Sequence, residues 1–170
     1  MSIYVYDYAS PLGTLAIASD GQNVTGLWIE GQKYQGPTLP ETYERKRVPP
    51  IAQTERWLDT YFAGKNPAMT LPLMPAGSDF RQSVWRALLR VLYGETTTYG
   101  SLAARIAGKE RNVLAMARAV GGAVGHNPIS ILIPCHRVVG ANGKLTGYAG
   151  GLERKRWLLE LEQGARRPAL

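Results

Sequence analysis

The chain has 170 residues, of which 45% are apolar and 19% charged, and its formal net charge is +7. This is the composition of a folded protein of one ordinary or two small domains, and it excludes a disordered chain. No stretch reaches the ~18 consecutive apolar residues of a membrane span, and residues 1–7 lack the features of a secretion signal, so we expect a cytoplasmic protein that binds no membrane.

The positive charge is concentrated in the second half of the chain. Residues 1–77 carry six basic and seven acidic side chains, a net charge of −1, whereas residues 78–170 carry fourteen and six, a net charge of +8. Such an excess is either a solvated basic surface or the binding surface for a polyanion, most often nucleic acid. Composition alone leaves both interpretations open.

The first 77 residues favour a small α/β domain with a mainly antiparallel sheet. Turn signals at Pro11-Leu12-Gly13 and Asp20-Gly21 separate three segments rich in strand-forming residues. The polar, proline-rich residues 30–50 indicate a loop, and the apolar periodicity that follows predicts a helix over residues 51–63. The strands are predicted at residues 3–6, 14–18 and 24–29.

Residues 65–77 contain three prolines and predict a linker, which puts a domain boundary near Gly77. After it, Ser78 or Asp79 can cap a helix whose apolar face runs as far as Leu92 and which Gly94 ends. Thr98 can cap a short helix closed by Gly108, and a second short helix fits residues 112–124. Two short helices joined by a polar turn resemble a helix-turn-helix.

The remaining residues favour a β-rich segment and a last helix. Residues 129–133 predict a strand that Pro134 stops. Asn142-Gly143 is a strong hairpin turn, so residues 138–139 and 144–146 are predicted to form a wing beside the helices. The last helix is predicted over residues 151–162.

Cys135 is the only cysteine of the chain. One cysteine cannot form an internal disulfide, and with only two histidines a cysteine-rich zinc site is also excluded. An isolated cysteine is usually a buried, inert residue. Here, however, it follows a proline bend and precedes His136, a candidate base that could generate the thiolate through a bend or a bridging water.

The segment Ile133-Pro134-Cys135-His136-Arg137-Val138 resembles the active-site signature of the O6-alkylguanine-DNA alkyltransferases. Four further segments are similar to family segments in the expected order, so that the resemblance covers residues 78–163; Pro11-Leu12-Gly13 also resembles the family's first domain, less specifically. The four are Arg118-Ala119-Val120-Gly121-Gly122, Asn127-Pro128, Gly147-Tyr148-Ala149-Gly150-Gly151 and Lys155-x-Trp157-Leu158-Leu159.

The resemblance implies a fold and a reaction. Residues 1–77 would form a ribonuclease-H-like α/β domain with a mainly antiparallel sheet, and residues 78–170 a mainly α winged helix-turn-helix domain. The Cys135 thiolate would attack the alkyl carbon on O6 of a damaged guanine and keep the alkyl group as a thioether, so each molecule would act once. No cofactor and no metal would take part, and the partner would be duplex DNA bound by a monomer.

The resemblance also implies roles in the chemistry. His136 would deprotonate Cys135 through a water, and Glu162 would orient the histidine. Asn127 would link the recognition helix to the active-site loop, and Tyr99 would donate a hydrogen bond to the departing guanine. The residues implied around the substrate are Val138, Tyr148, Ala149 and Lys155.

The second helix of the helix-turn-helix would contact DNA. Because the target base is buried in a duplex, it must be extruded, and Arg118 matches the family arginine that fills the gap. Gly121 and Gly122 each cost a helix ~1 kcal/mol relative to alanine, but with Ala117 they give the helix a smooth surface for close approach to the minor groove. Readout there is poor, which suits a protein that scans any sequence.

Three departures from the family pattern are visible. Residues 109–117 are longer than the spacing expected before Arg118, and Ser130 stands where some relatives have a proline that packs on bulky alkyl groups. Residues 1–77 contain no cysteine, so the structural zinc of some relatives is not expected. The preference for alkyl size stays open.

Two other functions stay open. A cysteine hydrolase could use Cys135 and His136, but it would need an oxyanion hole and would turn over. A non-catalytic binder of alkylated DNA is the other, although relatives of that kind lack the cysteine.

Overall fold

The computed structural model describes residues 2–32, 39–107 and 112–164. A four-stranded sheet and one helix come first, and four helices with a two-stranded sheet follow within these residues. The strands are β1 (Tyr4–Ser10), β2 (Gly13–Ser19), β3 (Val24–Ile29), β4 (Glu44–Arg45), β5 (Thr97–Thr98) and β6 (Val138–Val139). The helices are α1 (Pro49–Phe62), α2 (Asp79–Leu88), α3 (Tyr99–Ala107), α4 (Val113–Gly125) and α5 (Leu152–Glu162), with short 3-10 turns at Cys135–Arg137 and Ala141–Gly143.

The first sheet has the strand order β3-β2-β1-β4. The three predicted strands pair antiparallel as two hairpins, whose turns use Gly13 and Gly21 at positive φ. The short β4, within the segment predicted as loop, pairs parallel to β1. The prediction of a mainly antiparallel sheet is confirmed, and the sheet is mixed because of this one added pair.

One apolar core runs through both halves of the chain. Ile17 and Leu27 of the sheet and Leu58 of α1 belong to the same buried cluster as Trp85 of α2 and Leu158 of α5. The Trp85 indole N–H also donates to the carbonyl of Ala123, at 2.9 Å. The division near Gly77 therefore stays a prediction, because no gap in the core marks it.

The helix-turn-helix is formed by α3 and α4, which pack on each other and on α2. Thr98 Oγ1 accepts the amide of Ser101, which confirms the predicted cap of α3, and Asn112 Oδ1 accepts the amides of Leu114 and Ala115 at the start of α4. The predicted stop at Gly108 and residues 109–111 of the longer segment lie outside the described residues.

The predicted strand over residues 129–133 is wrong. Ile129 forms a single bridge to Leu27, and the chain then turns, with Ile131 at a φ of 71°. The amide of Ile133 donates to the carbonyl of Ile129 at 3.0 Å, which closes a turn instead of extending a strand. An apolar run of this length is equally compatible with a buried loop, because periodicity alone does not distinguish the two.

The predicted wing is only partly correct. Asn142 and Gly143 do form a tight turn at positive φ, and the amide of Gly140 donates to the carbonyl of Lys144 at 2.8 Å. Residues 144–146 nevertheless form no strand, because the partner of β6 is the parallel strand β5.

The predicted end of the first C-terminal helix is also displaced. Helix α2 is capped by Ser78 and ends at Leu88, six residues before Gly94, so Leu92 lies outside it and is exposed. No helix in the described part of the chain is long and apolar enough to cross a membrane.

Candidate active site

Cys135 lies at a sharp bend between the turn of residues 129–133 and strand β6. Pro134, with φ −81° and ψ 64°, makes a three-residue turn in which the amide of Cys135 donates to the carbonyl of Ile133 at 2.8 Å. Cys135 then opens a 3-10 turn with His136 and Arg137, and its side chain is buried. The bend breaks the strict alternation of side chains that an extended strand would impose on Cys135 and His136.

Asn127 holds this bend in place. Its side-chain Nδ2 donates to the carbonyl of Ile133 at 2.8 Å, and its Oδ1 accepts the amide of Ile129 at 3.0 Å. The residue lies directly after the end of α4 and is itself buried. It therefore connects the helix to the segment that carries the cysteine.

His136 is fully buried, and its Nε2 lies 2.5 Å from Oε2 of Glu162. Its other ring nitrogen, Nδ1, is buried and has no hydrogen-bond partner among the described residues, the thiol of Cys135 included. Because a carboxylate only accepts, a neutral ring carries its hydrogen on Nε2 and a lone pair on Nδ1.

Glu162 is the centre of a buried polar network. Arg137 donates to it through Nε at 2.8 Å and through its second guanidinium nitrogen at 3.2 Å, and the amide of Gly94 donates to Oε1 at 3.2 Å. The hydroxyl of Tyr61, from helix α1, donates to Oε2 at 2.6 Å. Burial alone would raise the pKa of Glu162, but the bonds and charges of His136 and Arg137 outweigh it and lower that pKa to about 2.

The cysteine and the histidine are both held in their neutral forms. Burial raises the pKa of the Cys135 thiol, although a hydrogen bond from Asn127, the charge of Lys155 and nearby backbone amides act against it. Burial also lowers the pKa of His136, against the opposing effect of Glu162. The resting site is thus a thiol beside a neutral imidazole that can take its proton.

Lys155 is buried and ties two segments of backbone together through three carbonyl groups. Its Nζ donates to the carbonyls of Val138 at 2.5 Å, Thr146 at 3.2 Å and Gly147 at 3.3 Å. Burial lowers the pKa of Lys155 to about 8, and a thiolate at Cys135 would act in the opposite direction. Burying a lysine is costly, and satisfying all three of its protons offsets that cost.

A cavity of about 330 Å³ opens beside this network. Tyr148 lines the cavity, and burial, followed by the negative charge of a Cys135 thiolate, raises the pKa of its hydroxyl well above the usual value. The Tyr148 hydroxyl is buried without a partner among the described residues, and that of Tyr99 accepts a hydrogen bond from Thr146 at 3.4 Å. The cavity is lined by Tyr99, Gly121, Val124, Gly125, Thr146, Gly147, Tyr148 and Ala149.

The outward face of α4 borders the same cavity. Arg118 and Gly122 are exposed, and Ala117 and Gly121 are partly so. A Cβ atom built on Gly121 or Gly122 would meet nothing within 4 Å, so no packing inside the protein requires a glycine at either position. Because Gly121 also lines the cavity, a molecule lying along this helix can reach the cavity directly.

The residues that the resemblance implied for the chemistry and the substrate therefore lie in one region, and those implied for DNA lie on the helix beside it. Sequence reasoning missed Tyr61, Arg137 and Gly94 as partners of Glu162. Arg137 was visible next to His136, but Tyr61 follows the apolar periodicity of α1 and is indistinguishable from a core aromatic. Its hydroxyl gave no local signal.

Comparison with known proteins decides the family. The family model described as the 6-O-methylguanine DNA methyltransferase DNA-binding domain matches residues 79–164, and that of the ribonuclease-like domain matches residues 3–75. The chain belongs to the 6-O-methylguanine DNA methyltransferase family. This family membership confirms the resemblance and, with it, DNA-repair alkyl transfer and the ribonuclease-like and DNA-binding parts of the fold.

Individual relatives are similar over almost their whole length. A methylated-DNA–protein-cysteine methyltransferase of Haemophilus influenzae is 44% identical over 95% of this chain and 87% of the relative. One of Mycobacterium bovis is 46% identical over 94% of this chain and 92% of the relative. The crystal structure of Mycobacterium tuberculosis OGT in complex with DNA is 42% identical, with a TM-score of 0.84 over 98% of this chain and 96% of that one.

Proposed function

We propose that this methyltransferase moves the alkyl group of an O6-alkylguanine in duplex DNA to Sγ of Cys135, once per molecule. One observation carries the proposal: the single thiol of the chain lies in a buried network with a His136–Glu162 pair, beside a cavity bordered by a smooth, exposed helix. A hydrolase would instead need an oxyanion hole and a route for water to regenerate the thiol.

The proton leaves the thiol before or during attack. Cys135 is neutral at rest, so it needs a base, and the lone pair on Nδ1 of His136 is the available acceptor. Since Nδ1 makes no direct hydrogen bond to the thiol, the proton crosses through a bridging water. Glu162 accepts the Nε2 hydrogen and stabilises the imidazolium that forms, as a buried carboxylate does for a catalytic histidine.

The bonds and charges of the transfer balance without a co-reactant. The C–S bond forms as the C–O6 bond breaks, and the electron pair of that bond goes to the guanine. Tyr99, which lines the cavity, donates a hydrogen bond from its hydroxyl to the departing base and stabilises its developing charge. Because the product is a thioether and the chain has no second cysteine, nothing in the reaction restores the thiol.

The guanine is held by backbone as well as side chains. The carbonyls of Cys135 and Val138 accept from its amino group, and Tyr148 and Ala149 form a wall of the cavity. Lys155 is a positioning residue, because its bonds to the carbonyls of Val138 and Gly147 hold opposite sides of the site together.

Helix α4 contacts the DNA next to this site. Arg118 fills the space that the extruded base leaves, and Ala117, Gly121 and Gly122 let the helix lie close to the minor groove. The basic residues of the C-terminal half neutralise phosphates. We place the protein in the cytoplasm, acting on duplex DNA as a monomer.

Mass spectrometry tests the proposal directly. The protein is incubated with a duplex containing one O6-methylguanine, and we expect one added methyl group on Cys135 and an equimolar amount of repaired duplex. The Cys135→Ala variant should bind the same duplex and repair none of it. Repeated release of a small product would indicate hydrolysis, and binding without methylation of Cys135 would indicate a non-catalytic binder.

A further inference from the structure

Tyr61 reaches the active site from the other half of the molecule. It lies on α1, is fully buried, and donates its hydroxyl hydrogen to Oε2 of Glu162 at 2.6 Å. The same oxygen also accepts a hydrogen bond from Nε2 of His136. A residue from the ribonuclease-like half therefore shares one carboxylate oxygen with the imidazole that serves Cys135.

The position of this hydroxyl is held by aromatic packing. The Tyr61 ring stacks on Trp57 with centroids 5.4 Å apart and meets Phe62 and Tyr93 edge-on at 5.4 and 6.1 Å. Such contacts restrict the ring to one orientation. The bond to Glu162 is thus built into the core.

We propose that Tyr61 is a positioning residue of alkyl transfer, whose hydroxyl orients the Glu162 carboxylate and limits how strongly that carboxylate draws on His136. The inference rests on the proposed function of His136 as the base for Cys135. It assigns the ribonuclease-like half a direct part in the chemistry.

The physical reason is competition for one oxygen. A carboxylate oxygen that already accepts a strong hydrogen bond is a weaker acceptor for its next donor. Tyr61 stays protonated and donates throughout the useful pH range, because burial and Glu162 raise its pKa well above the usual value. With Tyr61 present, Glu162 stabilises the imidazolium less, and His136 stays neutral and able to accept a proton.

Other titratable and charged groups also surround Glu162 and His136, and each shifts a pKa in a definite direction. Arg137 bonds to Glu162 and, with Lys155, lowers the pKa of His136. Burial raises the pKa of Tyr93 and of Tyr148, and the charge of Glu162 adds to both shifts. None of these groups is removed by a change at Tyr61, so the pH response of the variant reports the lost hydroxyl.

The test is the pH profile of transfer in Tyr61→Phe. Loss of the hydroxyl should raise the pKa of His136 and move the acid limb of the rate profile upward by about one pH unit, with transfer about tenfold slower on that limb. At higher pH, on the plateau of the profile, the transfer rate of the variant should fall by less than this factor. A purely structural role would lower the whole profile without moving the limb.

Tyr8 of strand β1 offers a matched control, because it also bonds to a carboxylate across the interface with helix α1. Tyr8 donates its hydroxyl to Asp59 of α1 at 2.6 Å, away from Glu162. Tyr8→Phe removes the same kind of bond and should leave the acid limb in place. Tyr61→3-fluorotyrosine keeps the ring and makes the hydroxyl a stronger donor, so it should move the limb downward.

A second readout separates this inference from the proposed function. The ring signals of His136 can be titrated by NMR in unreacted protein, where no alkyl transfer is needed. We expect a higher midpoint in Tyr61→Phe and a lower one in Tyr61→3-fluorotyrosine. Unmoved midpoints in both variants overturn the role of Tyr61. If the midpoints move as expected but Cys135 of the unmodified protein gains no methyl group, the proposed function fails and only the coupling of Tyr61 to His136 through Glu162 stands.

Discussion

The segment of residues 127–138 and the outer face of α4 lie side by side but are built in opposite ways. Most of the segment is buried, and most of its polar side chains are paired internally, through bonds that involve Asn127, Arg137, Glu162 and Lys155. On α4, the side chain of Arg118 is exposed, and the glycines at 121 and 122 have open space where a side chain would stand.

The difference shows which residues are constrained by contacts within the protein and which by contact with DNA. Inside the segment, Asn127, His136 and Arg137 are held by hydrogen bonds within the same chain, so a change at one of them should damage stability and chemistry together. On the outer face of α4, the fold does not require Arg118, Gly121 or Gly122, and a change at these positions should act on DNA and leave the folded protein intact.

The largest expected effect is that of Glu162→Gln. The neutral amide leaves the buried Arg137 guanidinium without its charge partner and weakens the hold on His136. We expect the free energy of unfolding to fall by about 3–5 kcal/mol and the transfer rate by at least about a hundredfold. Denaturant unfolding and rapid-quench assays of methyl transfer measure the two.

Glu153→Gln is the control for that change, because Glu153 lies on the same helix and is exposed. It should alter neither quantity. A stable, active Glu162→Gln protein would show that the buried network is not needed for either property.

The same network predicts a loss of stability in acid. The pKa of Glu162 is about 2 when folded against an ordinary value of 4.5, so its contribution of roughly 3 kcal/mol is present above about pH 4.5 and lost as the pH falls through 2. The lowered pKa of His136 adds a loss that begins below its ordinary value of 6.5.

Unfolding measured between pH 7 and pH 3 should therefore show a falling free energy, with a shallower fall in Glu162→Gln. Equal slopes in the two proteins would mean that other carboxylates carry the pH dependence.

A smaller and more selective effect is expected from Arg118→Ala. Transfer from O6-methylguanine in duplex DNA should slow by about tenfold to a hundredfold, because the extruded base is no longer replaced in the stack. The reaction with free O6-methylguanine and the stability, within about 0.5 kcal/mol, should not change. Arg56→Ala, which removes an exposed arginine from α1, is the charge-matched control. Equal losses on duplex and free base would refute the extrusion role.

The smallest effect, and the sharpest test of the comparison, is that of Gly122→Ala. An added methyl meets nothing inside the protein, so the helix should gain up to about 1 kcal/mol of stability. Affinity for duplex DNA, measured by fluorescence anisotropy, should fall because the methyl group stands between helix and groove. Gly151→Ala should instead destabilise the protein, since Gly151 has a φ of 92°. If Gly122→Ala binds duplex DNA with unchanged affinity, the close approach of helix and groove does not explain the glycine.

Local sequence patterns were sufficient for much of the fold. The turn glycines, the caps at Ser78 and Thr98 and the apolar faces of the helices act within a few residues of chain, so the β1–β3 hairpins and helices α1 to α5 could be predicted. The charge division left a basic surface and a nucleic-acid site both open, and the resemblance that begins at the motif around Cys135 indicated a DNA-directed thiol chemistry. The motif contains His136, and the separate segment Asn127-Pro128 supplied Asn127.

What local patterns could not decide depends on contacts between distant residues. The apolar run 129–133 became a loop because Leu27 and Asn127 take its backbone hydrogen bonds. Strand β6 joined β5 rather than its own hairpin, and Tyr61 met Glu162 across 101 residues of sequence. The sequence by itself determined which chemical groups are present and which helices and turns carry them. The tertiary structure decided which of these chemical groups are hydrogen-bonded to one another, because burial and hydrogen-bond partners exist only once the chain has folded.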